Sequence, residues 1–177
     1  DGYHDICTIM HSVALSDTVR LTAEKSGTPS VRVKTDKAYI PCGPSNTVFK
    51  AATLFIEKTG IGAAVEIDIN KKIPVGAGLG GGSSDAAATL KALNSLLGAN
   101  LSAEELNGLA ARVGADVPFC LEGGCALARG IGELLTPLPQ LPAAPVVICR
   151  PKGGVSTARV FGALRADKIA LRPDTDA

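Results

Sequence analysis

At 177 residues the chain fits one domain or one and a fraction, long enough to bury a core. A hydrophobic fraction of 46% excludes a disordered chain, and 3% aromatics without Trp leaves packing to Ala, Val, Leu and Ile. Eighteen basic residues against 17 acidic ones give a net charge of +1, which offers no electrostatic case for nucleic acid or a membrane surface as partner. The five cysteines are odd in number and show no CxxC spacing, and only two histidines are present, so reduced thiols in a cytoplasmic protein are expected and no metal centre. No apolar run approaches transmembrane length, and no signal peptide is read at the N-terminus.

In chain order, Asp5 to Leu15 reads as extended, Ser16-Asp17 as a turn, and Val19, Leu21 and Ala23 alternate as a strand. Val31 and Val33 repeat that alternation, and the three segments together predict an antiparallel meander. Val48, Ala51, Ala52, Phe55 and Ile56 recur at helical spacing, with Ser45 or Asn46 as cap and Gly60 as stop. Val65, Ile67 and Ile69 alternate with Glu66, Asp68 and Asn70, a strand with one face buried. A Gly-rich loop at Gly76–Gly82 leads to a helix predicted from Ser83 to Leu97, and Ser102 to Glu105 is a capping box opening the next. Gly114-Ala115-Asp116-Val117-Pro118 begins a short element through Leu121, and Cys125–Arg129 is a strand. Leu135 to Pro145, with four prolines, predicts a linker, Val146–Cys149 a strand and Thr157–Leu164 a helix. The fold class is α+β, with residues 1–143 as one domain and residues 144–177 opening a second.

The segment Pro74 to Ser84 carries the strongest chemical signal. Five glycines within Gly76–Gly82 stand between a strand and a helix, where free N–H groups and the positive end of the helix dipole suit phosphate. Glycine lets the backbone approach phosphate oxygens, and Ser83 and Ser84 add hydroxyl donors. A Walker A loop needs Lys after its last Gly, and Ser83 stands there instead. Gly76-x-Gly78-x-x-Gly81 matches a dinucleotide fingerprint formally, without the acidic residue at a following strand end. A tight packed turn is the plain structural alternative.

The run PVGAGLGGGSSDAA, Pro74 to Ala87, resembles the phosphate-binding motif of the GHMP kinases, the superfamily of galactokinase and of homoserine, mevalonate and phosphomevalonate kinases. Asp1-Gly2-Tyr3-His4, Gly114 to Phe119 (GADVPF) and Val155 to Ala158 with Phe161 resemble motifs of the branch that acts on a cytidine diphosphate-linked methylerythritol. The resemblance implies a two-domain GHMP kinase fold, with an N-terminal domain of the ribosomal protein S5 domain 2-like type nearly complete and a C-terminal domain mostly missing. It implies phosphorylation of the 2-hydroxyl of that substrate in non-mevalonate isoprenoid precursor biosynthesis, with ATP as donor and Mg²⁺ as helper. It further implies a cytoplasmic protein (or one of the plastid stroma), monomeric or weakly dimeric. A homoserine- or mevalonate-type kinase, or a nucleotide-binding module without catalysis, stays open.

The resemblance assigns Asp116 as catalytic base, against a helix-cap role suggested by Pro118. Gly76, Gly78, Leu79, Gly80, Gly81, Gly82, Ser83 and Ser84 would hold ATP phosphates, and Asn46 and Lys71 would approach the adenine. An Asn at this position is more often a helix cap, and a Lys at a strand end such as Lys71 more often solvated. Tyr3, His4 and Phe161 would hold cytosine and Thr157 would sit near the substrate; ordinary surface, core and cap roles compete. The chain begins on a motif at Asp1 and ends in a polar, Pro-containing stretch, so both ends are expected to be cut. The Lys and Asn that the resemblance puts upstream of Asp1 are absent, so the fragment alone is expected to lack useful kinase activity, and a missing first strand would leave a sheet edge open to self-association.

Overall fold

The computed structural model describes residues 5–149, 157–165 and 168–170. Its strands are β1 (Thr8–His11), β2 (Thr18–Lys25), β3 (Ser30–Thr35), β4 (Ala63–Asn70), β5 (Cys125–Arg129) and β6 (Leu134–Pro137). Its helices are α1 (Thr47–Thr59), α2 (Gly81–Leu96), α3 (Ala103–Val113), α4 (Val117–Glu122) and α5 (Thr157–Ala163). The mixture is the expected α+β class.

One sheet has the order β2-β4-β3, the other β1-β5-β6. The expected meander does not form. β4 lies between β2 and β3, antiparallel to β2 and parallel to β3, and β1 belongs to the other sheet, antiparallel to β5. A parallel partner for β3 needs a crossover, and α1 supplies it. Val65, Ile67 and Ile69 turn one face of β4 inward, and Glu66 and Asp68 face solvent. Of the three strands β4 has the longest buried face, and it takes the central place.

Helix α1 buries Val48, Ala51, Ala52 and Phe55, the i, i+3, i+4, i+7 stripe of an amphipathic helix. Asn46 caps it by accepting from the Val48 N–H (2.8 Å), and Gly60 ends it at φ 67. The core is the stripe of α1, Leu90 and Leu93 of α2, Leu109 and Val113 of α3, and Val117 and Leu121 of α4, packed on β4. Each fully buried large apolar side chain contributes on the order of 1.5–3 kcal/mol. The capping box of α3 forms as expected: Ser102 Oγ accepts from the Glu105 N–H (3.2 Å), and the Glu105 carboxylate accepts from the Ser102 N–H (3.1 Å).

Three boundaries differ from the sequence reading. Helix α2 begins at Gly81 rather than Ser83, so two glycines occupy its first turn despite their low helix propensity. The expected linker begins later, because Leu134–Pro137 pairs with β5; Pro137 is tolerated on an outer strand, where no N–H is required. No strand forms over Val146–Cys149, where Val147 is 93% exposed; nothing among the described residues pairs with it.

Candidate active site

Two clefts open on opposite sides of the glycine loop. The first, about 380 Å³, is lined by Asn46, Lys71, Gly76, Gly81, Ser83 and Asp85 among others. The second, about 360 Å³, is lined by His11, Ser12, Leu15, Ser84, Asp116 and Cys120 among others. Gly78, Leu79 and Gly80 line both, so the loop is a thin shared wall. Each volume falls in the range of small-ligand sites.

The geometry of the loop suits an anion. Gly76, Gly78 and Gly80 adopt φ of 65, 71 and 63, a region that disfavours side chains. Gly80 stands at the N-cap of α2 and makes no side-chain cap, and the first turn holds no acidic residue. The amides of that turn and the helix dipole are therefore left for a ligand. Gly81 is required by close packing, since a Cβ there would lie 2.9 Å from Ile73 Cγ2 and 3.2 Å from Lys71 Nζ. Gly82 O accepts from Thr47 Oγ1 (2.8 Å), tying the helix start to α1. Gly81→Ala is expected to destabilise the protein by about 1–3 kcal/mol through overpacking, read from the midpoint of urea unfolding.

Beneath the loop lies a buried ionic cluster. The Lys71 ammonium donates to Asp85 Oδ2 (2.7 Å) and to Asp17 Oδ2, and the side chains of all three are at most 6% exposed. Asp17 Oδ1 also accepts from the N–H of Lys72 (2.5 Å) and of Ile73 (2.8 Å), pinning the entry to the loop. Lys71 N–H donates to Asp36 (2.9 Å), whose carboxylate pairs with Lys37 (2.8 Å). Burial alone would raise the Asp17 carboxyl, but the Lys71 bond and the two amides outweigh it and hold it below the usual carboxylate value. Burial pulls Lys71 down, and its bonds to Asp17 and Asp85 override that, leaving it firmly cationic. For Asp85 burial wins and pushes the carboxyl up to about 6, because one ammonium serves two carboxylates.

Asp116 occupies the N-cap position of α4 without a capping bond, so its side chain is not engaged as the cap that Pro118 suggested. It is exposed and lines the second cleft. Burial first, then the charges of Asp116 and Asp85, push the Cys120 thiol up to about 11, so it stays protonated. His11 Nδ1 donates to the Ser12 carbonyl at the same cleft (2.7 Å).

The expected phosphate residues thus gather at one loop, but on two sides: Ser83 lines the first cleft and Ser84 the second. Asn46 both caps α1 and lines the first cleft; its amide nitrogen donates to the Pro41 carbonyl (2.7 Å). Lys71 lines the first cleft too, and its reading as a solvated strand end is corrected, since it is 9% exposed and doubly paired. Tyr3 and His4 lie outside the described residues. Thr157 opens α5, and Phe161 is half-buried on the same helix. Sequence reasoning missed Asp17, Asp85 and His11. Asp85 carried a signal: it shares the inward stripe of α2 with Thr89 and Leu93, and a charged residue on a core-facing stripe asks for a partner.

Residues 46–124 match the family model described as GHMP kinases N terminal domain. Over those residues the chain is similar to the GHMP kinases. A protein of Acetivibrio thermocellus named 4-diphosphocytidyl-2-C-methyl-D-erythritol kinase is 46% identical over 176 residues, 99% of this chain and 61% of that protein. One of the same name from Caldicellulosiruptor saccharolyticus is 48% identical over 177 residues, 100% of this chain and 60% of that protein. A crystal structure of 4-(cytidine 5'-diphospho)-2C-methyl-D-erythritol kinase superposes with a TM-score of 0.76 at 42% identity, over 94% of this chain and 57% of that one. The chain therefore spans about 60% of the length of the curated relatives it matches. Among the described residues, no helix is long and apolar enough to cross a membrane.

Proposed function

We propose that the intact protein transfers the γ-phosphoryl group of ATP to the 2-hydroxyl of 4-diphosphocytidyl-2-C-methyl-D-erythritol, in non-mevalonate isoprenoid precursor synthesis. The observation that carries this reading is the thin glycine wall between two clefts, with Asp116 on the far side from Lys71 and Asn46. A donor in one cleft and an acceptor in the other meet at that wall. The names of the relatives support the choice of acceptor.

The triphosphate lies along the first cleft, its anionic oxygens against the amides at the start of α2. Asn46 and the Lys71 segment border the space for the base. The acceptor hydroxyl enters the second cleft. As its oxygen bonds to the γ-phosphorus, the bond from that phosphorus to the ADP oxygen breaks, and the hydroxyl proton passes to the Asp116 carboxylate. Most of the acceleration in such transfers comes from positioning and charge stabilisation, which suits a site made largely of backbone amides. Mg²⁺ is proposed to arrive on the ATP phosphates, where it offsets their charge. No residue of this chain is assigned to it. Tyr3, His4 and Phe161 are proposed to hold the cytosine, and Thr157 to approach the acceptor. The proposed setting is the cytoplasm, as a monomer or weak dimer.

The intact gene product, given labelled ATP, Mg²⁺ and in turn the cytidine diphosphate substrate, homoserine and mevalonate, tests the reading. Transfer to the first alone is expected. Transfer to homoserine or mevalonate instead moves the protein to another GHMP branch, and nucleotide binding without any transfer makes it a binding module.

A further inference from the structure

The Asp17–Lys71–Asp85 cluster carries one negative charge too many for the place it occupies. Two carboxylates and one ammonium are sealed beneath a loop shaped for phosphate, and Lys71 and Asp85 both reach the wall of the first cleft. Asp17 is committed elsewhere: besides Lys71 it accepts from two amides that fix the loop entry, so it must stay ionised. Asp85 has no such backbone donors; its carboxylate accepts from Lys71 and lies against the Asp17 carboxylate, which favours its protonated form. Lys71 Nζ already lies against the first turn of α2, 3.2 Å from the position a Gly81 Cβ would take.

The other charged or titratable groups around Asp85 do not relieve it. From α4 come Asp116 and the protonated Cys120, and behind Lys71 stands Asp36, already paired with Lys37. From α1 the cleft receives the neutral Asn46 and Thr47. A polyphosphate entering this cleft adds negative charge, and the weakest acid facing it must yield.

We propose that Asp85 is a positioning residue of the nucleotide site that acts through Lys71: as the nucleotide phosphates enter the first cleft, the Asp85 carboxylate takes up a proton from solvent and the Lys71 ammonium is released toward the phosphates. Burial already raises this carboxyl to about 6, within easy reach of protonation near neutrality. The inference rests on reading the first cleft as the nucleotide site.

Titration calorimetry of ATP with Mg²⁺ into the intact protein, in buffers of different ionisation heat at pH 6 and pH 7.5, measures both affinity and protons taken up. The comparison is with Asp85→Asn; protonation of the ligand itself is common to both proteins and cancels in the difference. Wild type is expected to take up more protons than the variant, and to lose about tenfold in affinity from pH 6 to pH 7.5 relative to it. Asp85→Asn is expected to bind more tightly than wild type at pH 7.5, an outcome that a merely structural Asp85 does not produce. Weaker binding by the variant, or equal proton uptake in the two proteins, overturns this inference alone. Absence of binding by wild type overturns the nucleotide-site reading and this inference with it. Should Asp85→Asn fail to fold, the carboxyl ¹³C resonance of Asp85 in the wild-type protein decides: movement to the protonated position on saturation with ATP supports the proposal, and a resonance that stays ionised overturns it.

Discussion

Asp116→Asn in the intact protein is expected to lower kcat by about 10²–10⁴-fold, with the KM for ATP close to wild type. The acceptor hydroxyl is a poor nucleophile until its proton leaves, and an amide cannot take that proton. The variant isolates chemistry from folding. The Asp116 carboxylate makes no capping bond, and α4 is held by backbone bonds that Asn retains, Val117 N–H to Gly114 O (3.1 Å) and Cys120 N–H to Asp116 O (3.2 Å). In the proposed reading ATP binds in the other cleft, across the glycine wall, so its KM reads the donor site separately. Steady-state kinetics with a thermal unfolding control check the prediction. A kcat near wild type removes Asp116 from the proton transfer, and a rise in the KM for ATP alone moves it to binding.

Asp17→Ala is expected to cost about 3–5 kcal/mol of stability, the largest loss predicted for a side chain outside the apolar core. The substitution strips Lys71 of one of its two carboxylates in a setting where its side chain is 6% exposed. It also leaves the N–H groups of Lys72 and Ile73 without acceptors. Urea unfolding at neutral pH reads the loss; a change below about 1 kcal/mol defeats the account. The two acids also predict opposite pH trends. Asp17 is held below its ordinary value, so its contribution is present above the unfolded value of 3.8 and is lost as pH falls through its folded value. Asp85 is raised from 3.8 to about 6, so the stability it offers at low pH is lost as pH rises through about 6. Asp85→Asn removes that second loss, and its unfolding free energy is expected to stay flatter than wild type between pH 4 and pH 7.

The periodic elements were legible because their signals are local. The stripe of α1, the alternation of β4 and the Ser102–Glu105 box each depend on residues within a few positions of one another. The start of α2 was not. Gly81 and Gly82 are poor helix formers, and it is the close approach of Ile73, Lys71 and Thr47 from other segments that calls for glycine there. Strand pairing was missed for a related reason. β2 and β3 are neighbours in sequence and look like a hairpin, yet each buries more by flanking the apolar face of β4.

The sequence by itself determined the glycine-rich loop, its strand-loop-helix setting, and the identity of Asp116 as an acid beside a helix start. Those follow from glycine's access to positive φ, from unpaired amides at a helix N-terminus and from residue chemistry at short range. Only the tertiary structure decided that the loop separates two clefts, that Ser83 and Ser84 face different ones, and that Lys71 is buried between Asp17 and Asp85. Asp17 stands 54 positions from Lys71, and Asp85 stands 14. An ion pair across such distances leaves no local pattern, because it forms only where packing brings the carriers together and excludes the water that would otherwise screen them.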